Sequence, residues 1–202
     1  MIRLDTTSSA IKLATVSLLL FLLSACAGKQ PNTILDPARE LPLSKLEHWQ
    51  LNARIAIKTP KENLTASLTW QKNHQLFDFL VSGAFGVTYA HLKQQEQQAT
   101  LEIPDTDLLT HSSAEFLLQH TLGWDFPLEE LSYWVKGLPS GNSKEQIQYD
   151  EQGKINQIQM GLWKIIFSKH KHYQGYLLPK MIKVEHPEMS MKVVAKKWLF
   201  LN

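Results

Sequence analysis

One cysteine, Cys26, stands in the whole 202-residue chain. A disulfide framework is therefore excluded, and a folded domain has to hold by its core alone. Charge of one sign is also missing: 21 Lys and Arg meet 19 Asp and Glu, a net of +2 with neutral histidines. That balance makes no electrostatic case for a nucleic-acid partner. Long apolar runs are scarce, and the one of note, residues 13–26 (LATVSLLLFLLSAC), falls short of the about 20 residues a helix needs to cross a bilayer. There is no Gly-x-Ser-x-Gly elbow, no phosphate loop and no His-Glu-x-x-His. His170 and His172 form the only close histidine pair, a weak metal signal without a third ligand nearby. Asp105 and Asp107 read as a turn or a helix cap rather than as paired acid–base carboxylates. Nothing calls for an enzyme, a metal or a cofactor.

What is present begins at the N-terminus. Arg3 and Lys12 precede the apolar run, and small residues close it, the layout of a secretory signal. Leu23-Ser24-Ala25-Cys26 resembles the lipobox of bacterial lipoproteins. The resemblance implies a signal peptide over residues 1–25 and acylation of Cys26. Two or three acyl chains hold a protein stably where one is marginal. Ala27, in place of an Asp, points to the periplasmic face of the outer membrane. Residues 26–42, with three prolines and no period, read as a lipid-anchored flexible tether. Residues 43–202 are left as a single domain, long enough to bury a core.

Within that domain a short helix is expected over residues 44–49, capped by Ser44 with Glu47 three positions on. The period then becomes two. Trp49, Leu51, Ala53, Ile55 and Ile57 alternate with mostly polar neighbours, and Leu64, Ala66, Leu68 and Trp70 do the same. Further strands are expected over residues 76–82, 87–93 and 99–103. Two helices interrupt, over residues 112–122 with Ser113 as cap and Gly123 as stop, and over residues 128–136. Strands resume from Ile147, through residues 155–160 and 163–168, to residues 181–186 and 189–197. The basic stretch Lys169 to His172 reads as a solvated turn. Ten or eleven short antiparallel strands with two helices make a mostly β domain.

Six tryptophans, eight phenylalanines and five methionines allow two interiors. A strongly curved meander covered by two helices can enclose a hollow apolar cavity, or the same residues can fill an ordinary core. The hairpin carrying Gly83, Ala84, Phe85 and Gly86 is less neutral. An aromatic residue between two glycines at a turn points to a membrane or ligand contact, unless Phe85 folds back.

Taken in order, the lipobox, the tether, residues 50–57, 66–70 and 80–86 (LVSGAFG), and residues 128–139 (LEELSYWVKGLP) resemble the LolB family of outer-membrane lipoprotein receptors. So do the turn at Asp150 to Gly153 and the strand from Trp163. The resemblance covers essentially all of the chain after the signal. It implies an unclosed antiparallel β-barrel of about eleven strands, with a short helical lid over an apolar cavity. It implies a monomer that accepts lipoproteins from a LolA-type periplasmic carrier and inserts their acyl chains into outer-membrane lipids, without ATP. The family's protruding loop usually carries leucine after proline; here Ala84 and Phe85 take those places. Membrane contact is then expected at Gly83, Ala84, Phe85 and Gly86. This chain's own pattern assigns the acyl-chain cavity to Leu68, Trp70, Phe79, Phe116, Leu117, Leu131 and Trp134, with Trp124 and Phe126 near the lid hinge. Arg54, on the polar face of the first strand, has no assigned role. The alternative is a structural or assembly-factor outer-membrane lipoprotein with a filled core.

Overall fold

The computed structural model of the chain describes residues 43–123 and 126–200. Cys26, the signal segment, the whole of the tether over residues 26–42 and Trp124 lie outside the described residues. Eleven strands form one sheet: β1 (His48–Lys58), β2 (Asn63–Asn73), β3 (Leu76–Ser82), β4 (Thr88–Gln95), β5 (Gln98–Glu102), β6 (Leu109–His111), β7 (Gln146–Tyr149), β8 (Ile155–Met160), β9 (Trp163–Tyr173), β10 (Tyr176–His186) and β11 (Met189–Phe200). Helices α1 (Ala114–Leu122) and α2 (Leu128–Trp134) fall between β6 and β7.

The order across the sheet is β6-β5-β4-β3-β2-β1-β11-β10-β9-β8-β7, and every neighbouring pair is antiparallel. The first and last strands pair in the middle, while among the described residues β6 and β7 form the two edges and do not pair with each other, so the barrel is unclosed. The one connection between those edges carries both helices.

Alternation sets the faces. Trp49, Leu51, Ala53 and Ile55 of β1 are buried, as are Ala66, Leu68 and Trp70 of β2 and Met189, Met191, Val193 and Ala195 of β11. Register shifts at Asn52/Ala53, Val81/Ser82 and Gln148/Tyr149 bend the sheet as bulges do. α1 starts where Ser113 Oγ accepts the Phe116 N–H at 3.2 Å, and stops at Gly123 (φ 83°), whose N–H donates to the Gln119 carbonyl. Glu129 and Glu130 occupy the first turn of α2, where the helix dipole favours acids. Gly137 follows α2 at φ 75°, and a Cβ there would lie 2.8 Å from Pro179 Cγ of β10. Pro179 is tolerated because β10 pairs with β11 only from Met181 onward.

Two sequence expectations are corrected, and one strand has no counterpart in the sequence pattern. Residues 44–49 do not form a helix: a helical turn ends at Ser44, and the chain is extended from His48. The Trp49 indole is drawn into the sheet interior, against Trp70 and Trp198, and that burial outweighs a local capping box. Residues 169–172 are not a turn but the end of β9, with the reversal at Gln174 and Gly175. There the β9–β10 ladder overrides the polar composition. Finally, β6 is a three-residue edge strand held by β5, too short for a period to mark it.

Antiparallel pairing sorts the hairpins to two ends of the sheet. One end carries the turns at residues 59–62, 83–87, 103–108, 161–162 and 187–188. The other carries those at residues 74–75, 96–97, 150–154 and 174–175, together with the entry of the chain at residues 43–47. The buried apolar residues fall into two clusters. One is built on β1, β2, α2 and β8 to β11, the other on β4, β5, α1 and Leu128.

Candidate functional site: an apolar cavity between two cores

Between these clusters lies a cavity of about 320 Å³. Its floor comes from alternate inward residues near the first-named end: Ile55 and Ile57 of β1, Leu64 of β2, Phe79 and Val81 of β3, and Met189 and Met191 of β11. Leu92 and Leu101 form a side wall, and Leu118 of α1, Phe126 and Leu128 of α2 cover it. Thr59, Glu62, Tyr89 and Ile103 line it beside the turns, so the mouth faces that end. The volume is at the low end of the roughly 300–1,000 Å³ typical of ligand pockets. Hydrocarbon is what such a lining accommodates. A second concavity, lined in part by Lys72, Glu115 and Glu129, does not suit an acyl chain.

Of the residues expected to line the cavity, Phe79 does. Leu68, Trp70, Leu131 and Trp134 converge with it, but around a neighbouring void of only about 10 Å³; they are packed core. Leu117 is buried in the second cluster, between α1 and the β4–β5 face. Phe116 stands apart, about half exposed, with its ring stacked on His111 at 3.9 Å. Phe126 lines both spaces. Alternation identified the inward face; the residues missed, Ile55, Ile57, Leu64, Met189 and Met191, lie on that same face but nearer the mouth. Arg54 lies on the outer face and donates from Nη1 to Ser67 Oγ at 3.2 Å.

The hairpin between β3 and β4 makes a single 3-10 turn at Ala84–Gly86. The Gly83 N–H donates to the Val87 carbonyl at 2.7 Å. Phe85 sits in the left-handed region (φ 59°, ψ 20°) and is fully exposed. A side chain on Gly83 would meet the Tyr89 ring at 2.6 Å, so the loop's base and the cavity mouth share Tyr89.

Two polar groups hold α2. Trp134, fully buried, donates from Nε1 to Glu145 Oε1 at 2.6 Å, and the same carboxylate accepts from the Ser140 N–H and Oγ and from the Gly141 N–H. Lys136 is 4 % exposed; its Nζ donates to the Leu43 and Leu46 carbonyls and lies over the Tyr133 ring. Burial, reinforced by Lys72 and partly offset by Glu47, lowers its pKa to about 8.

Residues 47–198 match the profile of the family described as outer membrane lipoprotein LolB. The outer-membrane lipoprotein LolB of Pseudomonas fluorescens is 31% identical over 157 residues, 78% of this chain and 77% of that one. Its counterpart in Pseudomonas aeruginosa is 28% identical over 187 residues, 89% of this chain and 91% of that one. Among solved structures, a LolA superfamily protein from Nitrosomonas europaea aligns with a TM-score of 0.46 at 8% identity, covering 78% of this chain and 88% of that one. The chain belongs to the LolB family.

Proposed function

We propose that this LolB-family outer-membrane lipoprotein accepts lipoproteins from a LolA-type periplasmic carrier and inserts their acyl chains into the outer membrane without ATP. It is a lipoprotein-trafficking protein, and in this reading an acylated Cys26 is its own anchor. The observation that carries the reading is the apolar cavity opening at the same end of the sheet from which Phe85 projects. An acyl chain loses about 0.8 kcal/mol for each CH₂ left in water, so it has to pass between apolar sites. Each handover needs only a small difference in affinity, since about 1.4 kcal/mol biases it tenfold. The bilayer, the best apolar solvent, is the final acceptor. The cavity is small, so several acyl chains require α1 and α2 to move away from the sheet. Phe126, in the segment joining them, is the pivot for that movement.

The test mixes the protein, with Cys26 replaced, and carrier loaded with a labelled lipoprotein. Transfer of label without nucleotide supports the receptor role. Retention on the carrier, with the acceptor folded and unable to displace a hydrophobic dye with fatty acid, supports the structural alternative.

A further inference from the structure

The turns at the two ends of the sheet differ. At the end away from the mouth, the turns are built from His74 and Gln75, Glu96 and Gln97, residues 150–154 (DEQGK), and Gln174 and Gly175, with no large apolar side chain. At the mouth end, three separate hairpins each present one: Phe85 between β3 and β4, Leu108 before β6, and Leu162 between β8 and β9, the last two at 59 % and 65 % exposure.

We propose that this whole rim, and not the Phe85 loop alone, is a bilayer contact, with Leu108 and Leu162 as its further anchoring points. The inference rests on the proposed delivery role and adds to it the orientation in which the cavity mouth meets the lipid. One observation selects a bilayer over a protein partner, and a second makes the contact geometrically possible. Exposed charges share this end with the apolar tips, Asp105 and Asp107 in the turn of Leu108 and Lys61, Glu62 and Glu188 in other turns of the same end. The core of a protein interface is depleted of such charges, whereas a headgroup layer solvates them while single apolar side chains dip below it. The second observation is reach. The chain enters the domain at the polar end, before β1, so an anchored domain has to turn over to bring its rim to the membrane. The stretch 26–42 can extend to at most about 60 Å, more than the about 36 Å that the 11 residues of β1 span.

Because Cys26 is the only cysteine and is blocked when acylated, a new cysteine is a unique label site. We would attach an environment-sensitive fluorophore to Phe85→Cys, Leu108→Cys, Leu162→Cys and, at the polar end, Gln97→Cys. Each acylated protein would be placed in phosphatidylethanolamine–phosphatidylglycerol vesicles. The expected result is a blue shift and quenching by spin-labelled lipid at positions 85, 108 and 162, with none at 97. Quenching at 85 alone overturns the rim and leaves the Phe85 contact standing. Quenching at none of the three overturns both. A response at 108 and 162 to loaded carrier and not to vesicles overturns the proposal in favour of a protein-docking rim. As a second readout, Leu162→Glu should weaken vesicle association of the unanchored protein roughly tenfold, the effect of losing one buried leucine, with its melting temperature unchanged.

Discussion

The Lys136 ammonium donates to the Leu43 carbonyl at 3.3 Å across 93 residues of sequence, joining the end of α2 to the point where the chain enters the domain. The Leu46 carbonyl is its second acceptor, at 3.2 Å. The contact ties the segment that follows α2 to the residues that lead into β1.

Lys136→Met keeps the stem and removes both donors, leaving two carbonyls without their partner. The expected loss is about 1–3 kcal/mol at pH 7 by urea unfolding. With a folded pKa of about 8 against 10.5 for the ordinary side chain, the unfolded chain binds more protons between those values. Parent stability therefore gains a rising contribution from about pH 8 to 10.5, which the variant lacks. The gap between the two proteins should widen over that range; a constant gap would show that Lys136 is not the titrating group.

Phe85 holds a left-handed conformation that costs a residue with a Cβ about 1–2 kcal/mol. Phe85→Gly relieves it, offset by the freedom glycine adds to the unfolded chain. Thermal unfolding should show equal or slightly higher stability, while delivery of lipoprotein to vesicles falls at least tenfold. Phe85→Glu should show the same loss of delivery with uptake from the carrier retained. Delivery at the parent rate by either variant would remove the loop from the release step.

Ile57 lines the cavity and is only half-buried, so Ile57→Trp can fill the space with an overpacking cost of no more than about 1–3 kcal/mol. Displacement of a hydrophobic dye by fatty acid should weaken by tenfold or more. The contrasting change, Trp134→Ala, sits in the nearly filled void; it should cost about 3–5 kcal/mol and disturb acyl binding only through loss of fold.

Glu145 accepts the buried Trp134 indole N–H and ties the segment after α2. Glu145→Ala leaves that donor unpaired, at an expected cost of about 2–3 kcal/mol. Glu145→Gln, which can still accept from the indole, should cost less. Equal losses for both would assign the effect to charge rather than to the hydrogen bond.

Gly83 lies against the Tyr89 ring, which is partly exposed and can swing away. Gly83→Ala should therefore be tolerated in stability while displacing Tyr89 from the mouth and changing the rate of fatty-acid entry. Once Tyr89→Ala has removed the ring, Gly83→Ala should no longer alter that rate. A difference that persists would mean that the loop acts on entry without Tyr89.

The sequence alone determined the mostly β, antiparallel class, the two interrupting helices, the first with Ser113 and Gly123 at its ends, and the inward face of each long strand. Those features are local: period, cap and stop signals act within a few residues. It also singled out the Phe85 hairpin, because two glycines around an aromatic residue are anomalous wherever they occur. Tertiary structure decided what local signals cannot carry. Pairing extended β9 through its basic end, made β6 a strand, and drew Trp49 out of the expected helix. Above all it decided height along the strands. Leu68 and Ile55 have the same inward period and the same burial, yet Leu68 faces packed α2 and Ile55 faces the cavity. Which of two equivalent positions is filled depends on where the helices cross the open side of the sheet, and that is a property of packing between distant segments.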